Sequence, residues 1–339
     1  MKLPFEFSMK IIFRLAFPGA ILAAAFLPAV HAILHALGIW IKFEYLFPIE
    51  VIAWGWAIVV SDMRIYMLFE GRRYWPSPLR KLLMWCERRR LERLSEIVLN
   101  PSPNIDRRRF LEAGVEYGFY PLDTHSVAYV AHPTRLGNII ESFETNPKIK
   151  YGLDSVFYWY RLWVVLDKDL REEIDSAQAV VDSTVYISFV LYVSALVMLA
   201  YAGVEAGAQL DCSYLHWLSA VRLPYVPVAS ALCVMAAACL FIGFWVYRLS
   251  LPAHAQFGEL FKSVFDQYRS KLAFDDVLEE VARIMGGPSL TSKSQREKNQ
   301  IISRYLRWHL IRDEAAGRNL TVKEWEDRQG PSGPISGPF

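Results

Sequence analysis

The sequence predicts a mainly α-helical membrane protein. It should have four spans, a mostly helical cytosolic insert between spans 2 and 3, and cytosolic helices after span 4. Three observations predict this. No charged residue occurs between Arg14 and Lys42, between Asp182 and Glu205, or between Arg222 and Arg248, giving uncharged runs of 27, 22 and 25 residues. Each can cross a hydrocarbon core of roughly 30 Å as a helix. Basic residues crowd one side of the spans: Lys2, Lys10 and Arg14 before the first, Arg72 to Arg90 after the second, and Arg248, Lys262 and Arg269 after the fourth. Such bias orients spans with these flanks and both termini in the cytoplasm, as in a bacterial inner membrane. Finally, the block 70–182 holds 17 Lys and Arg and 17 Asp and Glu, the balanced composition of a folded polar insert.

These features divide the chain into a first transmembrane hairpin (1–69), the insert (70–182), a second hairpin (183–248), C-terminal cytosolic helices (249–329) and a flexible tail (330–339) rich in Gly, Pro and Ser. Residues 1–13 carry Phe5, Phe7, Ile11, Ile12 and Phe13 among lysines. They read either as an interfacial segment or as the ragged start of span 1. A signal-peptide reading, with cleavage near Val30-His31-Ala32, would export the basic 72–109 region and conflicts with the charge bias.

Span 2, from Tyr45 to Phe69, is the least clean, because Glu50, Asp62 and Arg64 fall inside it. Ionisable residues at membrane depth must face protein or water, so His31, His35, Glu50, Asp62 and Arg64 are the candidate pore or intramembrane polar residues. Pairing between helices is the structural alternative for each. Cys86, Cys212, Cys233 and Cys239 form no C-x-x-C pair and read as isolated thiols. No metal site, cofactor site or catalytic residue is assigned, and the chain is not read as an enzyme. It lacks the phosphate-loop, dinucleotide and H-E-x-x-H patterns, and His125, His132, Asp123 and Asp154 match no reaction template.

Within the insert, apolar spacing predicts a helix over 78–99, ended by Asn100-Pro-Ser-Pro-Asn104. Arg88, Arg89 and Arg90, with Arg107 to Arg109, are candidates for phosphate binding. Charge that fixes membrane orientation is the plainer alternative. Val127 to Ala131 suits a short strand or an extended entry, Pro133-Thr134 a helix start, and Asn146-Pro147 a helix stop. Asp154 should cap an aromatic helix over 155–166. Arg135, Lys148, Lys150 and Arg161 could converge on an anionic ligand, with Asn138 and Tyr151 adding hydrogen bonds. Internal pairing of Arg135 and Arg161 with Asp154 or Glu141 is the preferred reading, because ionic networks also order small domains.

After Asp167, Leu170, Ile174, Ala177, Val180 and Val181 form an amphipathic lead-in to span 3, and span 4 is rich in small residues suited to close packing. After Pro252, Phe257, Leu260, Phe261, Val264, Phe265 and Tyr268 share an apolar face expected to pack within the chain. A charged helix should follow over 293–312.

The segments Pro133-Thr-Arg-Leu-Gly-Asn138, Tyr151-Gly-Leu-Asp154, Arg161-Leu162, Phe257-Gly-Glu-Leu260 and Phe265-Asp-Gln-Tyr268 resemble an uncharacterised family of bacterial multi-pass membrane proteins. The likeness covers roughly 132–272 and transfers no catalytic residue. The layout also looks like Hailong-type antiviral membrane channel effectors. These resemblances imply an oligomeric ion channel or pore-forming effector, gated through its cytosolic region by a nucleotide or oligonucleotide signal. The expected partners are membrane lipid, further copies of the chain with a tetramer as first expectation, and that anionic ligand. The alternative is a non-conducting membrane-anchored receptor or scaffold for a protein partner.

Overall fold

The computed structural model describes residues 12–102, 105–123, 128–209, 228–272, 274–284, 290, 293–313, 318–321 and 324. The start of the expected interfacial segment, the connection 210–227 with Cys212 and Arg222, His125 and the tail 330–339 lie outside the described residues. In chain order, a π-helical turn Ile12–Ala16 leads into α1 (Phe17–Ala36), α2 (Phe43–Val60), α3 (Asp62–Phe69), α4 (Ser77–Leu99), α5 (Arg107–Tyr117), α6 (Arg135–Tyr151) and α7 (Ser155–Val165). Then come α8 (Lys168–Gln209), α9 (Ala229–Tyr268), a 3-10 turn Arg269–Lys271, α10 (Asp275–Ile284), α11 (Gln295–Trp308) and strands β1 (Leu310–Asp313) and β2 (Arg318–Thr321). The fold is thus mainly helical, and four helical segments are long and apolar enough to cross a membrane: Ile12–Ala36, Phe43–Val60, Lys168–Gly207 and Ala229–Lys271.

The chain forms two compact units. The first comprises Met1–Trp85, His132–Gly137 and Glu172–Phe257. Here α1 and α2 pack with their backbones almost in contact. A Cβ added to Gly19 would lie 2.3 Å from the Val51 carbonyl oxygen, and one on Gly55 would lie 2.5 Å from that of Leu15. Only glycine fits so close a crossing, which is why small residues mark helix interfaces in apolar surroundings. Phe26 stacks on Trp54 across the same pair, and Tyr201 of α8 donates to the Ala25 carbonyl. The expected second span is interrupted at Ser61, whose φ and ψ of −90° and 4° separate α2 from α3. Pro28, Pro48 and Pro252 all sit inside helices. Each removes one backbone donor without ending its helix, so α9 continues through Pro252.

The start of the Pro133–Asn138 motif also belongs to this unit. Thr134 caps α6 by accepting the Gly137 amide hydrogen at 3.0 Å. A Cβ on Gly137 would lie 2.4 Å from the Glu70 carbonyl oxygen, and one on Gly71, whose φ is +75°, would press on Pro133. The motif's glycine therefore permits a backbone contact with the turn that follows α3.

The second unit comprises Cys86–Ala131, Asn138–Arg171 and Gly258–Phe339. One apolar cluster joins α4 and α5 through Leu94, Ala113 and Tyr120. Another joins α10 and α11 through Val281, Leu290 and Tyr305. Between the ends of α6, α7 and α9 lies an aromatic group. Phe261 is centred 5.2 Å from Phe143 and 4.6 Å from Trp159, so the apolar face after Pro252 packs within the chain. Residues 128–131 contribute an isolated bridge between Leu122 and Tyr129 rather than a strand. α6 runs through Pro147 and stops at Gly152, whose φ of +72° and amide bond to the Lys148 carbonyl terminate it in a left-handed cap. Asp154 caps α7 as expected, accepting the Phe157 amide hydrogen. The last helix ends at Trp308 because His309 adopts φ +50°. An antiparallel hairpin with Leu310 opposite Thr321 replaces the rest of the expected helix.

Candidate functional site

Three of the four apolar segments, together with α3, contribute to one buried polar cluster in the first unit. Arg14, at the start of the first, lies 2.6 Å from Asp182 Oδ2 on α8 and 3.6 Å from Asp175. Tyr66 on α3, beyond the end of the second, donates its hydroxyl to Asp182 Oδ1 at 2.6 Å. Tyr186, one turn after Asp182, donates to Asp62 at 2.8 Å. His254 on α9 is 2% exposed and sets Nε2 3.3 Å from the Tyr66 hydroxyl, while its Nδ1 lies 2.8 Å from the Ser250 carbonyl. The cluster joins the helices at the end of each uncharged run that adjoins the polar residues. Buried polar groups with hydrogen-bond partners order their helices, while loss of one partner strands the other at high cost.

Of the candidate intramembrane residues, Asp62 belongs to this cluster and Arg64 is exposed. Glu50 lies in the interior of α2 and is 5% exposed. Neither of its carboxylate oxygens has a hydrogen-bond partner of good geometry, and the neighbouring donor is the Trp54 indole one turn on. His31 is half-buried on α1. His35 is exposed and sets its ring edge against Trp40 at 4.1 Å.

In the second unit, the Tyr151–Asp154 turn receives α11. Asn299 donates its side-chain amide to the Tyr151 carbonyl at 2.7 Å, and a Cβ on Gly152 would lie 2.4 Å from the Arg296 carbonyl oxygen. Arg307 pairs with Asp154 at 2.8 Å. A cavity of about 440 Å³ opens beside this turn, lined by Lys150, Tyr151, Arg269, Arg296, Asn299 and Phe274 among others. Arg269 stacks over the Tyr151 ring at 4.3 Å, and the Tyr151 hydroxyl donates to Asp266 at 2.6 Å. That bond raises the Tyr151 pKa, so the phenol stays protonated. The lining joins three cationic side chains and two aromatic rings to one carboxylate, Asp275, and Lys150 lies 3.5 Å from Asp266, which leaves a net positive surface able to meet a phosphate-bearing ligand.

The structure brings Lys150 and Tyr151 to this cavity and places the other candidate ligand residues elsewhere. Lys148 is exposed, and Arg161 lies over the Phe157 ring at 3.7 Å and donates to its carbonyl. Arg135 is half-buried at the start of α6. Asn138 and Tyr120 both donate to Glu87 Oε2, at 3.2 and 2.9 Å, and burial pushes the Glu87 carboxyl above its usual range. Arg90 pairs with Glu116 at 2.5 Å, while Arg88 and Arg89 are exposed.

Sequence reasoning missed Arg14, Tyr66, Asp182, Tyr186 and His254 as one constellation, and Arg269 and Arg296 as cavity residues. A trace was present: Asp62 and Tyr66, Asp182 and Tyr186, and Ser250 and His254 are polar pairs four apart at the ends of apolar runs. Such spacing sets both members on one helix face. Compared with family models, curated proteins and solved structures, the chain gives no match.

Proposed function

We propose that the chain is the subunit of an oligomeric ion-conducting membrane protein, opened or closed through a polar region that faces the cytosol. The observation that carries this reading is Glu50, a carboxylate buried inside an apolar helix without a satisfying partner. An ionisable group at that depth is costly, about 2.5–3.5 kcal/mol on insertion scales, and its usual justification is an ion or proton pathway. Two features support the oligomer. Only 17% to 33% of each candidate span is buried within one chain, leaving broad apolar faces for lipid or further copies. Four spans are also few for enclosing a path alone.

The long helices α8 and α9 each run from apolar span into polar segment without interruption, a covalent route for a signal to reach the spans. The cavity beside Tyr151 is the proposed seat of an anionic signal, a nucleotide or oligonucleotide. The resemblance to antiviral membrane effectors adds defence as the setting. Planar-bilayer recording of the purified full chain tests the proposal, with ATP and a short oligoribonucleotide as probes. It predicts discrete current steps whose size or selectivity changes in Glu50→Gln. Absence of current from a folded oligomer, with and without both probes, would favour a non-conducting receptor or scaffold instead.

A further inference from the structure

The Tyr66 hydroxyl has one hydrogen and two neighbours that compete for it. Its oxygen is 2.6 Å from Asp182 Oδ1 and 3.3 Å from His254 Nε2. His254 Nδ1 faces the Ser250 carbonyl, which can only accept, so Nδ1 carries a hydrogen. A neutral His254 therefore presents a lone pair at Nε2. While Asp182 is ionised, Tyr66 donates to it, and Nε2 faces the phenol oxygen with no hydrogen between them. That is a buried acceptor left unsatisfied, and the longer of the two distances is on this side.

We propose that Asp182, Tyr66 and His254 form a proton-binding site that switches Tyr66 between α8 and α9. One proton from water binds Asp182 Oδ1. The new acid donates to the Tyr66 oxygen, and the Tyr66 hydroxyl rotates to donate to His254 Nε2. No O–H bond of Tyr66 breaks, and Asp182 Oδ2 keeps its bond from Arg14. Every polar atom of the three side chains that faces the cluster then has a partner.

The surrounding charges favour Asp182 as the seat of the proton. Arg14 from the first segment, Asp62 and Tyr66 from α3, Asp175, Asp182 and Tyr186 from α8, and His254 from α9 are the titratable and charged groups that face the site. Asp182 and Asp175 both approach the Arg14 guanidinium, at 2.6 and 3.6 Å, and Asp62 lies in the same cluster, so neutralising Asp182 relieves repulsion among the carboxylates. An imidazolium at His254, 2% exposed, would meet only the neutral Ser250 carbonyl and Tyr66 hydroxyl and would be poorly compensated.

The inference does not depend on ion conduction, and its test reads protonation directly. Full-length protein in detergent micelles is taken from about pH 8 to about pH 5, the interval in which such groups are adjusted in proteins. Infrared difference spectra should gain the C=O stretch of a protonated carboxyl that is lost in Asp182→Asn and kept in Glu87→Gln. In nitrogen NMR of histidine-labelled protein, His254 Nε2, assigned by its loss in His254→Gln, should change from free to hydrogen-bonded acceptor with the same midpoint while the ring stays neutral. In Tyr66→Phe the carboxyl band should remain and the His254 change should vanish. A second N–H on His254, an Nε2 that does not follow Asp182, or no carboxyl band would each overturn the proposal. The wild-type measurements decide it even where a variant fails to fold.

Discussion

Replacing Arg14 with methionine removes the one cation that compensates a buried carboxylate. Asp182 has 7% of its side chain exposed, and Arg14 contacts its Oδ2 at 2.6 Å while Tyr66 holds Oδ1. Breaking a fully buried pair costs roughly 3–5 kcal/mol. Arg14 retains 26% exposure, so water already screens part of the interaction, and about 2–3 kcal/mol is the appropriate expectation. That corresponds to about a 30- to 150-fold fall in the folding equilibrium constant. The Asp175 contact at 3.6 Å is a third exposed and should add little. Reversible unfolding in mixed micelles, followed by tryptophan fluorescence, measures the loss. The double variant Arg14→Met with Asp182→Asn leaves no charge stranded and should cost about 1.5 kcal/mol or less. If the two substitutions add within about 0.5 kcal/mol, the pair is not coupled and this reasoning fails.

Two further outcomes follow from the second unit. Gly152→Ala places a Cβ 2.4 Å from the Arg296 carbonyl oxygen at a φ of +72°, so unfolding should show a loss of at least about 2 kcal/mol from left-handed strain and overpacking. A loss below about 0.5 kcal/mol would mean α11 does not seat on this turn. Glu87 is held above its usual pKa chiefly by burial, so the folded chain keeps this proton to higher pH than the unfolded chain. Its stabilising effect is complete below the unfolded value, about 4.3, and is lost as pH rises through the folded value. Glu87→Gln should therefore gain stability relative to wild type as pH rises from the unfolded value through the higher folded one. A pH-independent difference would place the effect elsewhere.

Local chemistry made much of the helical architecture legible. Uncharged runs longer than a membrane is thick marked three of the four helices able to cross one, and Asp154 followed by an aromatic run marked a cap and its helix. Where the reading went astray, tertiary contacts had outweighed local preference. Pro147 removes one donor, yet α6 continues, because neighbouring turns and the packing of Phe143 on Phe261 hold it. Ser61 breaks the second span although nothing in its neighbours demands it. The hairpin after Trp308 depends on the left-handed His309, a conformation histidine adopts only in context.

The candidate sites were harder to see, for a physical reason. Tyr66 meets Asp182 across 116 positions and His254 across 188, and no local periodicity encodes such pairings. The same holds for the cavity, where Lys150 and Tyr151 were singled out but Arg269 and Arg296 come from distant helices. The glycines of both motifs, Gly137 and Gly152, are required where the backbones of Glu70 and Arg296, distant in sequence, pass too close for any side chain. The motif that seemed to promise a ligand is thus explained first by packing.

The measurement that tests the functional account most directly is the structure of the purified full chain in lipid nanodiscs, solved with its stoichiometry. The account predicts several copies arranged around a continuous path lined in part by polar side chains. A monomer, or a ring sealed along its axis by apolar side chains and lipid under every pH and ligand condition, would contradict it.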